Sequence, residues 1–80
     1  MLTVDIRALR IRTNREIADL GAEPPDAHER AVWRKERHAV VILVAELADH
    51  DAELLRRAAT GAWLSTAVRD LLLDAAQECG

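Results

Sequence analysis

The sequence predicts an all-α domain: a three-helix arrangement around one long central helix, completed by dimerisation. First, no Gly or Pro occurs in the 35 residues from 26 to 60. Second, aliphatic residues recur at steps of three and four along most of the chain, which is the period of an amphipathic helix. Third, Phe and Tyr are absent, which leaves aliphatic and Ala side chains with two Trp to build a core of closely packed helices.

The length of the chain favours a partner. Eighty residues form one small domain, and such a domain buries only about 60% of the surface that its unfolded chain exposes. Cys79 is the only cysteine, so no internal disulfide can form, and no Cys/His group has the spacing of a zinc site. A second chain is the remaining way to stabilise so small a core.

The first helix is predicted over about residues 3–20. Strict alternation from Leu2 to Ala8 would also suit a strand, but the helical spacing continues to Gly21, where a C-terminal cap is expected. Pro24 and Pro25 then predict a turn, because the residue before a proline avoids the helical region. The residues that carry the helical spacing are Leu2, Ile6, Leu9, Thr13, Ile17 and Leu20.

The central helix is predicted over about residues 26–60, either unbroken or as two helices that meet near His38. Asp26 followed by Glu29 forms a capping-box pattern at its start. Gly61 follows its end, as is usual for helices. The seven-residue apolar run Ala39–Ala45 is the one stretch in which a strand is the alternative.

The second half of the central helix has an unusually wide apolar face. On a helical wheel the apolar arc of residues 40–59 covers roughly 200°, about twice the stripe of an ordinary surface helix. One neighbouring helix would not cover it, so we expect a second copy to supply another. Asp51 falls inside this arc, and we expect it to pair with an Arg of residues 7–15 or with an Arg across an interface.

A third helix is predicted over about residues 63–78, capped by Ser65 or by Thr60. Its apolar face and that of residues 40–59 form the predicted partner interface, in which Trp and Leu side chains are the anchors. The predicted interface consists of Trp33, Val40, Val44, Leu47, Asp51, Leu54, Leu55, Trp63, Leu64, Val68 and Leu71.

Charge is unevenly distributed. The net charge is −3, with +1 on residues 1–38 (8 basic, 7 acidic) and −4 on residues 39–80 (3 basic, 7 acidic). Basic clusters could contact phosphates or an acidic partner; the alternative is that they are solvated and pair with the acidic half. The residues concerned are Arg7, Arg10, Arg12, Arg15, Arg34, Lys35 and Arg37.

Residues 61–72 resemble the turn and second helix of ribbon-helix-helix DNA-binding regulators and antitoxins, in which a Gly-x-Ser-x-Ser pattern leads into Val-Arg. Here Gly61, Ser65 and Val68-Arg69 carry the resemblance. It implies a dimer whose paired ribbon, at Val40–Val44, contacts DNA.

Two shorter resemblances were found. Glu16-x-x-Asp19 and Glu46-x-x-Asp49 are similar to the paired acidic motifs of all-α nucleotide pyrophosphohydrolases, which implies Mg²⁺-dependent hydrolysis. The segment from Thr13 to Gly21 resembles the first helix of a helix-turn-helix module.

The sequence favours a non-enzymatic helical module that binds a protein partner or a second copy of itself. Neither a catalytic set nor a metal or cofactor motif is predicted, and His50 with its Glu neighbours is expected to be a solvated helix face. The longest apolar run is far shorter than the ~20 residues that span a membrane. We therefore expect a soluble, cytoplasmic protein.

Overall fold

Four α-helices make up the part of the chain that the computed structural model describes, residues 5–79, and no strand occurs among these residues. They are α1 (Ile6–Leu20), α2 (Ala27–Leu47), α3 (Ala52–Ala58) and α4 (Thr66–Cys79). The all-α prediction is confirmed. The prediction of a single central helix is wrong, because two helices, α2 and α3, form from that stretch.

Helix α1 begins where an aspartate caps it. Asp5 has extended backbone angles, and its Oδ1 accepts the backbone N–H of Arg7 at 3.0 Å. The predicted start near residue 3 lies outside the described residues. At the other end the Gly21 N–H donates to the Ile17 carbonyl at 3.1 Å, so the predicted cap at Gly21 is confirmed.

Gly21 has φ 76° and ψ −175°, a region that only glycine adopts readily. Nothing lies within 4 Å of the place where a Cβ would be, so the effect of a substitution would come from the backbone alone. We expect Gly21→Ala to lower the free energy of unfolding by about 2 kcal/mol, measured by urea denaturation. Ala22→Ser, at the exposed next position, is the control and should leave stability unchanged; equal stability of both variants would contradict the assigned φ.

Helix α2 starts as predicted. It continues without interruption through residue 38, where a break was one alternative, and through residues 39–45, where a strand was the alternative. Asp26 Oδ2 accepts the backbone N–H of Glu29 at 3.0 Å. His38 lies inside the helix, so a break near residue 38 is wrong. Residues 39–45 are also helical, with Val41 and Val44 buried. The ribbon that the ribbon-helix-helix resemblance requires at Val40–Val44 is therefore absent from the structure of this segment.

The long helix breaks instead at residues 48–51, which we call the hinge. Asp49 and His50 have φ of 55° and 54°. The Asp49 N–H donates to the Glu46 carbonyl and the His50 N–H to the Ala45 carbonyl, both at 2.9 Å. This is the Schellman pattern of a helix C-terminus, with Asp49 at the position where Gly is usual. Asp and His enter this region more readily than most side chains, which allows a break without Gly or Pro.

Asp51 begins α3, and the expected pairing with an Arg is wrong. Its side chain is exposed, and Oδ1 accepts the backbone N–H of Leu54 at 3.1 Å. The carboxylate therefore satisfies an orphan donor of the first turn. Its apparent place in the apolar arc depended on a continuous helix, which the hinge interrupts.

Helix α4 starts three residues later than predicted. The Val68 N–H donates to Ser65 Oγ at 3.3 Å, so Ser65, one of the two expected caps, precedes the helix. Trp63 consequently lies in the connection between α3 and α4 and not on a helix.

One core joins all four helices, and α4 contacts the other three. The hinge turns α3 back so that it packs against α1 and α4. The chain thus covers most of the face of residues 40–59 by itself, and completion of the core by a second copy stays a prediction. The buried apolar residues are Leu9, Val41, Val44, Ala45, Ala48, Leu55, Ala58, Ala59, Val68, Leu71, Leu72, Ala75 and Ala76.

The N-terminal part of α2 extends away from this core. None of residues 27–38 is buried, as their charged composition indicates. Together with the 21-residue length of α2, this accounts for the elongated shape, 43 × 24 × 17 Å.

Candidate interaction surface around Trp63

Trp63 is the most exposed large apolar side chain among the described residues, with 98% of its surface accessible. It lies in the connection from Gly61 to Ser65, between the end of α3 and the start of α4. Both ends of this connection are held: Arg69 binds the Gly61 carbonyl at 3.2 Å, and Ser65 caps α4. The indole is therefore presented to solvent from an anchored loop.

A groove runs beside Trp63 between α1 and the start of α4. Its volume is about 270 Å³. Ile11, on α1, is 57% exposed and supplies a second apolar side chain at this groove. We call it the Trp63 groove, and its lining includes Arg10, Ile11, Asn14, Trp63, Leu64 and Val68.

Two arginines fasten the end of α3 beneath this surface. Arg10 Nε donates to the Ala58 carbonyl at 2.9 Å, and its Nη2 donates to the Arg57 carbonyl at 3.5 Å. Arg69 Nε donates to the Ala59 carbonyl at 3.1 Å. These carbonyls lie at the C-terminal end of α3, where helical hydrogen bonding ends, and those of Arg57 and Ala58 also accept the backbone N–H groups of the two residues after Ala59. Arg10, predicted as a contact for nucleic acid or an acidic partner, therefore has a structural role.

The other arginines of α1 divide into paired and unpaired groups. Arg12 pairs with Glu16 at 3.0 Å. Arg7 and Arg15 are exposed and make no side-chain hydrogen bond or ion pair with any described residue. They lie one helical turn before and after Ile11, so all three share one face of α1. Ile11, at the edge of the groove, thus has an exposed cation one helical turn to either side.

The basic residues in the first half of α2 bind the connection between α1 and α2. Arg30 donates to the carbonyls of Pro24 and Pro25, and Arg34 pairs with Glu23 at 3.3 Å. Lys35 is exposed and makes no ion pair with the described residues.

Arg37 joins α2 to α4 by an ion pair with Asp74 at 2.8 Å. Most of the predicted cationic contacts on α2 are thus already engaged within the chain.

Trp33, unlike Trp63, is packed against its own chain. Its Nε1 donates to the Gly21 carbonyl at 3.2 Å. It borders a cleft of about 200 Å³ together with Leu20, Ala67 and Asp70. Trp33 therefore binds the end of α1 to α2. This structural role explains the presence of a Trp here, and no partner is needed to explain it.

The remaining predicted interface residues are mostly internal. Val40, Leu54 and Leu64 are partly buried against the core, and Leu47 is 37% exposed. The fully internal ones are Val44, Leu55, Val68 and Leu71.

The candidate metal groups do not assemble in the described structure. Asp49 and His50 lie in the hinge, so neither Glu46-x-x-Asp49 nor His50 with Glu46 and Glu53 shares one helix face. Within residues 5–79 no three His, Cys, Asp or Glu side chains are grouped to hold a metal ion.

Cys79 is partly buried at the C-terminal end of α4. Partial burial raises the pKa of its thiol, and the carboxylates of Asp51 and Glu78 raise it further. The thiolate is therefore disfavoured, whereas a reactive cysteine needs it stabilised.

Comparison of the chain with protein-family models, with curated proteins and with solved structures finds no match. In the described part of the chain, the helices are too short or too polar to cross a bilayer.

The sequence did not single out Ile11 as a functional residue. It lies outside the row of helically spaced residues that predicts the first helix, which includes Ile6, Leu9, Thr13 and Ile17. The available signal was an apolar residue flanked by Arg7 and Arg15 at steps of four, on the face opposite the core.

Proposed function

We propose that the protein is a non-enzymatic helical interaction module that binds an acidic, partly apolar segment of a partner protein in the Trp63 groove. The observation that carries this proposal is the near-complete exposure of Trp63 beside the half-exposed Ile11. The nature of the partner segment follows from the charges around the groove.

The apolar part of the groove favours a partner that buries it. A Trp side chain has a large apolar area, and covering it contributes about 25 cal/mol for each Å² removed from water. Trp is also among the residues that contribute most to binding at protein interfaces. Because Gly61 and Ser65 hold the loop, little additional ordering is needed on binding.

The charges around the groove favour acidic groups on the partner. Arg7 and Arg15 border Ile11, and no Asp or Glu is among the residues that line the groove. A carboxylate-bearing segment would thus meet cations at both ends of the apolar patch. A nucleic acid is disfavoured by the chain as a whole, since its pI is about 5.5 and nucleic-acid-binding domains are typically basic.

Selection from a displayed library of random peptides tests this proposal without a known partner. We expect peptides rich in Asp and Glu with at least one large apolar residue. Trp63→Ala should weaken their binding by about 30-fold and leave the free energy of unfolding within about 0.5 kcal/mol of wild type. Leu73→Ala, an exposed apolar position on α4, is the matched control and should bind normally.

Two results would overturn the proposal. One is recovery of the same peptides by wild type and Trp63→Ala with equal affinity. The other is binding of a single-stranded oligonucleotide that weakens with salt and is lost in Arg7→Ala and Arg15→Ala, which would assign the groove to nucleic acid.

A further inference from the structure

The hinge between α2 and α3 is conformationally unfavourable. Asp49 and His50 are two successive residues with side chains in the left-handed region, which L-amino acids other than glycine adopt at a disadvantage. The same residues lie in a 35-residue stretch without Gly or Pro, so nothing in their chemistry prevents a helix there. The unfavourable backbone conformation would therefore be relieved if the hinge became helical.

Little contact between α2 and α3 would be lost if the hinge straightened. Helix α3 is held by α1 and α4, and its packing against α2 is much weaker. Helices α3 and α4 also pack against each other. Straightening would join α2 and α3 into one helix of about 32 residues, roughly 48 Å long. It would carry α3 and α4 as one unit away from both α1 and α2, on which α4 packs.

We propose that this chain forms a domain-swapped dimer, in which the hinge becomes helical and each α3–α4 unit packs on the α1–α2 unit of a second copy. All contacts across the exchanged boundary are re-formed between chains, including Arg10 with Ala58 and Arg37 with Asp74. The dimer gains four residues released from the left-handed region. It loses the Asp51 cap of each chain and the translational freedom of one chain. Its population therefore rises with concentration. This inference does not depend on the Trp63 groove.

Opposite substitutions at one hinge position test the exchange. Asp49→Gly favours the bent hinge, because glycine adopts positive φ without a steric penalty and is a poor helix former. Asp49→Ala favours the straight helix for the opposite reasons. The dimer dissociation constants of the two variants should differ by about 900-fold, since the two effects together give about 30-fold per hinge and a dimer has two hinges.

Light scattering across a concentration series measures these dissociation constants. Ala31→Gly, at an exposed position of α2, is the control: that residue is helical in both forms, so the monomer–dimer balance should not change.

Ala52→Pro provides an independent variant that matches the bent hinge. Ala52 is the first residue of α3, where proline is tolerated, and Asp51 before it is extended, as a residue before proline must be. In a continuous helix the same proline removes a hydrogen bond and clashes with the preceding turn. Ala52→Pro should stay folded by circular dichroism and weaken dimerisation by about 100-fold per hinge.

The ion pair between Arg37 and Asp74 distinguishes an exchanged dimer from a side-by-side one. Arg37→Asp and Asp74→Arg each place like charges together within a monomer. When the two variants are refolded as a mixture, an exchanged heterodimer restores both opposite-charge pairs, whereas a side-by-side dimer restores neither. We expect the mixture to form more dimer than either variant alone. A mixture that stays monomeric, or an Asp49→Ala variant that does not dimerise more than Asp49→Gly, would overturn the proposal.

Discussion

Leu55→Ala lowers the free energy of unfolding by about 3 kcal/mol, the largest loss of stability that we expect from one truncation. Leu55 has 0% exposure and packs on α3 towards α1 and α4. Removing its side chain forfeits the burial of three carbons and leaves a cavity that surrounding helices fill only in part. For a domain of this size the melting temperature should drop by about 12 to 24 °C, measured by circular dichroism.

Leu47→Ala is the matched control, because Leu47 retains 37% exposure. Its loss should be about 1 kcal/mol, since less apolar surface returns to water. Equal losses at both positions would contradict the hinge. A single straight helix would give the two leucines similar surroundings, as two positions of one broad apolar face.

The hinge is the helix boundary that could not be predicted from the sequence. Asp26, Gly21 and Ser65 mark helix boundaries with the residue types that caps require. The first two boundaries were predicted, and Ser65 was one of two expected caps. The boundary at residue 48 has no such signal, because Asp49 stands where Gly is usual. The Schellman hydrogen bonds and the packing of α3 on α1 and α4 compensate the left-handed backbone there, and periodicity predicts neither.

Asp51 was the clue to this boundary, and it was interpreted as a buried charge. A carboxylate within an apolar arc has two explanations: a paired buried ion, or a cap at a helix start that the wheel has wrongly continued through. The second fits the observed bond to the Leu54 N–H. A polar residue that interrupts a long apolar face is thus a reason to examine whether the helix ends there.

The sequence placed both Trp residues among the anchors but could not separate their roles. Trp33 binds the Gly21 carbonyl across 12 residues, and Arg10 binds the Ala58 carbonyl across 48. Such long-range partners depend on the topology, which periodicity does not specify. The groove could be recognised only after Trp63 was found in a loop beside Ile11.

Arg10 and Arg69 add hydrogen bonds to the carbonyls at the C-terminal end of α3. A seven-residue helix has few internal hydrogen bonds, so its C-terminus depends on outside donors. The two guanidinium groups reach it from α1 and α4, and the positive charges suit the negative end of the helix dipole. Gly61 leaves room for this arrangement, because a Cβ there would lie 3.0 Å from Arg10 Cζ.

Arg10→Ala should therefore lower the free energy of unfolding by about 2 kcal/mol, the value of a hydrogen bond from a charged donor. Arg10→Lys should recover less than half of this, because an ammonium lacks the planar fork that reaches two carbonyls. Arg7→Ala, one turn away and exposed, should stay within about 0.5 kcal/mol of wild type. Urea denaturation measures all three variants. Equal losses in Arg10→Ala and Arg7→Ala would show that the charge of α1 matters and the bond to α3 does not.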